Sequence, residues 1–419
     1  MLSLSYRSGQ KLRSFYNLTL TMKRFGQFIA WCLGRIGKLP GNIAAAVAHC
    51  LTPIKPGRVV CWAHNFKQYG CNPRYLTEYL LEHNPELEIW WVFRRGAEPK
   101  DVASGIRTVR FRSWQYLKLM ASAEFVVTNA RTDPWHIHWR KRAKQKYLML
   151  WHGSVSLKQI ERDVEHKLGY GYVRKAKRDS KVCDLMISAS RLNTELIHRA
   201  FWYDGEVLEC GTPRNDVLFH PERHEEFRQS LKAAFGVDPS SRLVLYAPTF
   251  RSNHSTEPYR IDWTALIPKL ERLLERHNIT VLLRLHPNLI GKLDTSSLRN
   301  DSRVVDVTRY HDMQELLAIS DLLITDYSSS MFDFAMQRRR CILYATDVKE
   351  YDRGYYFDLD KLPFPLAESE VELHRIVEEF DDAAYHTALE EFFSSHLGLC
   401  ENGQAAEKIA RWITQHRIA

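Results

Sequence analysis

Along most of this chain short apolar runs stop at Gly, Pro, His or Arg, and helical patterns separate one run from the next. Residues 58–62, 87–93, 108–111, 124–128, 147–150 and 184–188 read as strands, with helices over 73–81, 114–120 and 191–201. A second alternating set begins at Leu243. It has strands at 243–245, 279–285, 304–307, 322–325 and 341–344, and helices over 263–276 and 313–319. Strands alternating with helices argue for parallel sheets covered on both faces, so the fold class is α/β. The polar stretch 221–241 reads as a helix plus linker between the sets, and the tail from Glu368 is helical by pattern.

In open α/β sheets ligands bind outside the carboxyl ends of the strands, so the residues that end these runs are the first candidates for chemistry. Trp151-His152-Gly153 follows 147–150, Gly211-Thr212-Pro213-Arg214 follows 206–210, and Thr249-Phe250-Arg251 follows the strand that opens at Leu243. Arg284-Leu285-His286-Pro287 closes another run. Arg284 and His286 are two apart, which puts them on one face of a strand, where an imidazole and a guanidinium can meet one anion. The run 322–325 breaks at Asp326-Tyr327-Ser328-Ser329 and turns into a helix carrying Asp333. Unpaired N–H groups and hydroxyls at such a start suit a phosphate. An ordinary N-cap uses the same residues.

Together these segments, in this order and spacing, resemble the CDP-glycerol glycerophosphotransferase family, enzymes that build teichoic acids and related glycerol-phosphate capsules. The resemblance runs from about Arg58 to Phe357, strongest at Trp151-His152-Gly153 and Asp326-Tyr327-Ser328-Ser329. It implies a GT-B arrangement: an acceptor domain over 56–225, a CDP-polyol-binding domain over 242–400 and a C-terminal helix over 401–419. It also implies that His152 and His286 are catalytic. In the favoured assignment His152 takes the proton of an acceptor hydroxyl and His286 stabilises charge on the diphosphate; the reverse assignment stays open. Gly153, Arg214, Arg251, Arg284, Pro287, Thr308, Asp326, Tyr327, Ser328, Ser329, Asp333 and Arg353 are the implied substrate contacts. Asp326 is a candidate to orient a histidine or bind ribose; Asp333 is alternatively a solvent-facing helix residue. The implied donor is CDP-glycerol, with CDP-ribitol as alternative, and the implied acceptor is a lipid-linked glycan or polymer. No cofactor is required, with Mg²⁺ on the diphosphate left open. Family members usually carry Pro-Gly-Pro where this chain has Leu362-Pro363-Phe364-Pro365-Leu366, which marks the loop beside the cleft as a point of difference.

The net charge of +9 is unevenly placed: no Asp or Glu precedes Glu78, while Arg and Lys recur throughout. Residues 1–55 read as a basic amphipathic leader in which Phe25, Phe28, Ile29, Cys32, Leu33 and Ile36 form one stripe. Its apolar run is too short to span a bilayer. The leader is expected to lie on an anionic membrane surface, at the cytoplasmic face, peripherally; a helical layer packed on the first domain is the alternative. Trp135 to Lys146 interleaves tryptophans and bases, which fits the same interface better than a nucleic acid. The eight scattered cysteines show no CxxC spacing, so neither a disulfide framework nor a zinc site is expected. His136 and His138 stand among five basic residues that repel a cation, and no metal ligand set is assigned. A GT-B glycosyltransferase and a non-catalytic basic binding protein are the remaining readings.

Overall fold

The computed structural model describes residues 37–97, 101–251, 257–286, 296–348 and 354–418. The apolar stripe of 25–36, Pro287 and Arg353 therefore lie outside the described residues.

The first seven strands are β1 (Arg58–Trp62), β2 (Glu88–Phe93), β3 (Arg107–Arg110), β4 (Phe125–Thr128), β5 (Lys146–Met149), β6 (Leu185–Ser188) and β7 (Glu206–Glu209). They form one parallel sheet in the order β3-β2-β1-β4-β5-β6-β7. The next six are β8 (Arg242–Ala247), β9 (Ile279–Leu283), β10 (Val304–Asp306), β11 (Leu322–Thr325), β12 (Arg340–Tyr344) and β13 (Leu366–Ala367). They form a second parallel sheet, β10-β9-β8-β11-β12-β13. In each sheet the order reverses beside the first strand of the set, as in doubly wound folds.

The central strands are buried on both faces, and their alternation sorts side chains into separate cores. Val59 and Cys61 join one apolar cluster, Val60 and Trp62 the other. In the second sheet Leu243 and Leu245 face one core, Val244 and Tyr246 the opposite one. Each such side chain contributes about 1.5–3 kcal/mol on burial. The last helix, Ala405–Gln415, returns to the first lobe: Ile409, Trp412 and Ile413 pack in the cluster that holds Val59. Asp216 accepts from the Ala405 and Ala406 N–H groups and fixes its start.

Helix Leu39–Leu51 also packs on the first lobe, with Ala48 fully buried and Ala44 and Ala45 against the same cluster. Its other side leaves Leu39, Ile43, Val47 and Leu51 exposed at four-residue intervals, a stripe along one face. The alternative reading, a helix packed on the first domain, describes this part of the leader, and the exposed stripe lies away from the packed face. The Trp135–Lys146 segment lies beside it: Asn42 Nδ2 donates to the Trp135 carbonyl (3.2 Å) and Arg142 Nε to His49 Nε2 (3.0 Å). One expectation for that segment is corrected here. Trp139 is buried, its Nε1 donating to Gln145 Oε1, and does not reach a surface.

The segment that departs from the family pattern is also placed differently from the expectation. Leu362 and Phe364 are buried in the second lobe, and the Pro365 carbonyl accepts from Leu343 N–H at 2.8 Å. It leads into the edge strand β13, so the difference falls at a sheet edge. The part that does reach the other lobe comes just before it. Gly354 O accepts from Gln159 N–H, and Tyr356 N–H donates to Leu157 O, a short antiparallel strap between lobes.

Candidate active site

The lobes meet through the loops at the carboxyl ends of their strands. Arg74, on helix Cys71–His83, reaches Asp312 (3.0 Å) and Glu315 (3.1 Å) of the second lobe. Asn215, just beyond β7, accepts from Gln314 Nε2 at 3.1 Å. The two carboxyl edges therefore face each other, and each carries one of the expected histidines: His152 beyond β5 and His286 beyond β9.

His152 is the better defined. Trp151 before it takes a left-handed backbone (φ 48°), which turns the chain sharply out of the strand. Asn72 Nδ2 pins that turn by donating to the Leu150 and Trp151 carbonyls (2.8 and 3.1 Å). His152 Nδ1 lies 3.1 Å from the Asn129 carbonyl oxygen. A carbonyl only accepts, so Nδ1 carries the proton and Nε2 presents its lone pair. Nε2 has no partner among the described residues. The ring is exposed by area, yet it sits deep enough in the protein that desolvation lowers its pKa to about 4, helped by His64 and Arg214 and opposed by the Asn129 hydrogen bond. A side chain on the wall of a crevice satisfies both observations. At neutral pH the imidazole is uncharged and able to accept a proton.

His286 is exposed, packs near Phe250 (ring centroids 5.7 Å apart) and has its pKa lowered by burial and then by Arg284. Arg284 itself is engaged by the backbone: Nη1 donates to the carbonyls of Val307, Thr308 and Tyr310. It holds the 307–310 loop, as does Thr308, whose Oγ1 accepts from Leu285 N–H at 3.0 Å.

Several expected substrate contacts are instead bound to one another. Arg251 is 5% exposed, and its guanidinium meets Asp347 (2.7 and 3.0 Å), Asp326 (2.9 Å) and the Thr249 carbonyl. Asp326 accepts further from the Thr249 and Tyr327 N–H groups, and Tyr327 donates its hydroxyl to Asp347. This network pairs each charge with an opposite one and braces the loop that leads from β11 into the serines. Asp333 faces inward rather than to solvent: at 2% exposure it accepts from Ser154, Asn215 (3.0 Å), Gln314 (3.0 Å) and Arg214 (2.6 Å). Arg214 Nη1 also donates to the His152 carbonyl at 2.7 Å. Arg214 and Asp333 therefore position the His152 loop from both lobes.

Ser328 and Ser329 remain as partly exposed donors at the start of helix Ser330–Ala335. Ser328 Oγ lies 2.8 Å from Ser330 Oγ, while Ser329, at the N-cap, makes no side-chain capping bond. Gly153 leaves open space: an added Cβ would meet only Trp151 Cδ1, at 3.9 Å. Among the described residues no group of three His, Cys, Asp or Glu is placed to hold a metal. Asn129, Asp347 and Gln314 were not singled out from the sequence, and Asn72 only as the residue before a helix. Asn129 had a readable signal, as the polar residue directly beyond β4.

Two Rossmann-like lobes whose strand ends face each other, each carrying one of the histidines, define a GT-B transferase architecture. The chain belongs to the CDP-Glycerol:Poly(glycerophosphate) glycerophosphotransferase family, whose sequence profile matches residues 43–415. It is 32% identical over 375 residues to the teichoic acid poly(glycerol phosphate) polymerase of Bacillus subtilis (strain 168), covering 86% of this chain and 49% of that protein. It is also 32% identical over 361 residues to the teichoic acid glycerol-phosphate transferase of Staphylococcus aureus (strain NCTC 8325 / PS 47), covering 83% and 90%. The chain thus spans about half the length of the first relative and nearly all of the second. Among solved structures, the wall teichoic acid polymerase TagF, as its H444N variant, aligns with a TM-score of 0.76 at 27% identity, over 94% of this chain and 97% of that one. The same variant has been solved after a soak with CDPG.

Proposed function

We propose that this protein transfers glycerol phosphate from CDP-glycerol to a hydroxyl of a lipid-linked glycan or polyol-phosphate acceptor, in the synthesis of a teichoic-acid-like polymer. The observation that carries this reading is His152, neutral, with Nδ1 tied to the Asn129 carbonyl and Nε2 left without a partner among the described residues on an exposed ring. The acceptor O–H gives its proton to Nε2 as its oxygen attacks the phosphorus that bears glycerol. The bond from that phosphorus to the bridging oxygen breaks, and its electron pair leaves with CMP. Such a transfer depends on positioning and charge neutralisation more than on covalent chemistry. His286 and the Ser328–Ser329 donors supply that neutralisation, and the cytosine lies near the strand end at Val307-Thr308. Approach of a diphosphate raises the depressed pKa of His286 and so favours its cationic form beside the anion.

The test is incubation of the purified protein with CDP-glycerol, CDP-ribitol and UDP-sugars, each with a glycerol-phosphate primer. CMP is expected from CDP-glycerol. Release from CDP-ribitol alone would move the donor to the other polyol, and UDP release from a UDP-sugar would make this a glycosyltransferase.

The exposed stripe Leu39, Ile43, Val47 and Leu51, with Arg140 and Lys144 exposed on the neighbouring segment, supports peripheral attachment to an anionic membrane. Among the described residues no helix is long and apolar enough to cross a bilayer. The double variant Ile43→Glu, Leu51→Glu is expected to lose co-sedimentation with phosphatidylglycerol vesicles while keeping turnover of a soluble primer. Unchanged sedimentation would remove this face from the attachment.

A further inference from the structure

We infer that His64 is an acceptor-binding residue of the same site, donating from Nδ1 to a phosphate oxygen of the acceptor's terminal unit and so aiming its hydroxyl at His152. This rests on the glycerophosphotransferase reading above.

The first observation is position. The order of the first sheet reverses between β1 and β4, and the crevice outside the carboxyl ends at such a switch point is where doubly wound sheets take ligands. His64 lies two residues beyond the end of β1, and Asn129 directly beyond β4. Neither histidine pattern nor strand-end motif marked His64 beforehand.

Backbone conformation is the second. His64, Asn65 and Phe66 all occupy the left-handed region (φ 45°, 56° and 68°), and none is glycine. Non-glycine residues held there are disfavoured and persist where the surroundings over-determine them, often at ligand sites. Here the surroundings do so. Phe66 is 2% exposed and stacked between Trp62 and Phe111, with ring centroids 5.0 and 4.1 Å away. His64 N–H donates to Asn129 Oδ1 at 3.0 Å. The backbone is clamped, yet the imidazole is left exposed.

Third, the same asparagine serves both histidines: its side chain holds His64 and its carbonyl takes the proton of His152 Nδ1. Asn129 Nδ2 also approaches His64 Nε2, at 3.5 Å. With Nε2 facing a donor, Nδ1 carries the hydrogen, and Nδ1 has no partner among the described residues. The charges that act on His64 come from both lobes, Arg214 of the first and Asp312 of the second. The exposed ring therefore lies within reach of charged groups from both lobes. A fixed, uncharged N–H donor beside a general base suits an anionic, hydroxyl-bearing acceptor, which must be held by its phosphate without trapping the proton that His152 removes.

The test measures initial rates for the full chain and for His64→Gly and His64→Asn, varying CDP-glycerol and a synthetic glycerol-phosphate oligomer separately. Loss of one such hydrogen bond is expected to raise the acceptor KM about 10-fold, with the donor KM changed less than about 2-fold. His64→Gly is expected to melt no lower than the parent, because glycine adopts this backbone freely. His64→Asn, whose residue type tolerates the left-handed region, provides a second folded variant. An unchanged acceptor KM in either variant, or an equal rise in both KM values, overturns this assignment alone. Absence of CMP release by the parent protein overturns the glycerophosphotransferase reading beneath it.

Discussion

Replacing His152 by alanine is expected to slow CMP release from CDP-glycerol about 10²- to 10⁴-fold, the usual worth of a positioned general base. The loss should appear in kcat more than in the donor KM, since the imidazole acts on the acceptor proton and not on the nucleotide. The fold should survive, because the ring reaches solvent and its one hydrogen bond is to a carbonyl that water can satisfy. The pH profile offers an independent check. In the free enzyme His152 stays neutral down to about pH 4, so kcat/KM should hold as pH falls through 6.5 instead of bending there. Stability follows the same sign. A histidine with a depressed folded pKa resists protonation only when folded, so its contribution is intact above pH 6.5 and is lost as pH falls toward 4. The alanine variant should accordingly lose less stability across that window than the parent. Full turnover in the variant would remove His152 from the base role and transfer it to His286.

Much of this geometry was legible because the signals were local. Strand 58–62 and helix 313–319 read from sequence match the folded bounds, since their ends coincide with a change from apolar run to polar or capping residue. His152 and His286 were legible for the same reason, as imidazoles at strand ends. What was not legible depended on partners far apart in the chain. Arg251 resembles a phosphate ligand until Asp326 and Asp347 are seen closing around it, 75 and 96 residues later. Arg214 likewise finds Asp333 across 119 residues. Both arginines sit where the strand-end argument put them, and each is paired with a carboxylate that the argument could not place. Helix Tyr170–Val182 was hidden for another reason. Its buried face is Val173, Ala176, Asp179 and Ser180, half of it polar, with Asp179 meeting Arg131, Thr132 and Tyr147. A pattern sought in apolar residues alone passes over such a face.

Asp333→Ala is the substitution expected to cost the fold most. The carboxylate accepts from four side chains, two of them on the loops that follow β7, one beyond β5 and one in its own lobe. Its removal leaves the Arg214 guanidinium, with 13% of the side chain exposed, short of its counter-ion in the interface between lobes. Breaking one partner of a buried ion pair typically costs about 3–5 kcal/mol, which for lobes of this size lowers the melting temperature by on the order of 10 °C. Asp382→Ala is the matching control, because its pair with Arg340 is exposed (44% and 28%) and should be worth about 0–1 kcal/mol. Activity should fall beyond what unfolding explains. Arg214 spans Asp333 and the His152 carbonyl, so an arginine freed from its anchor no longer fixes the loop that aims Nε2. Measured well below the transition, kcat should drop in Asp333→Ala and remain at the parent level in Asp382→Ala. A variant that melts with the parent and keeps its kcat would show that the lobes are registered by Arg74 with Asp312 and Glu315, and by the 354–356 strap, without help from this carboxylate.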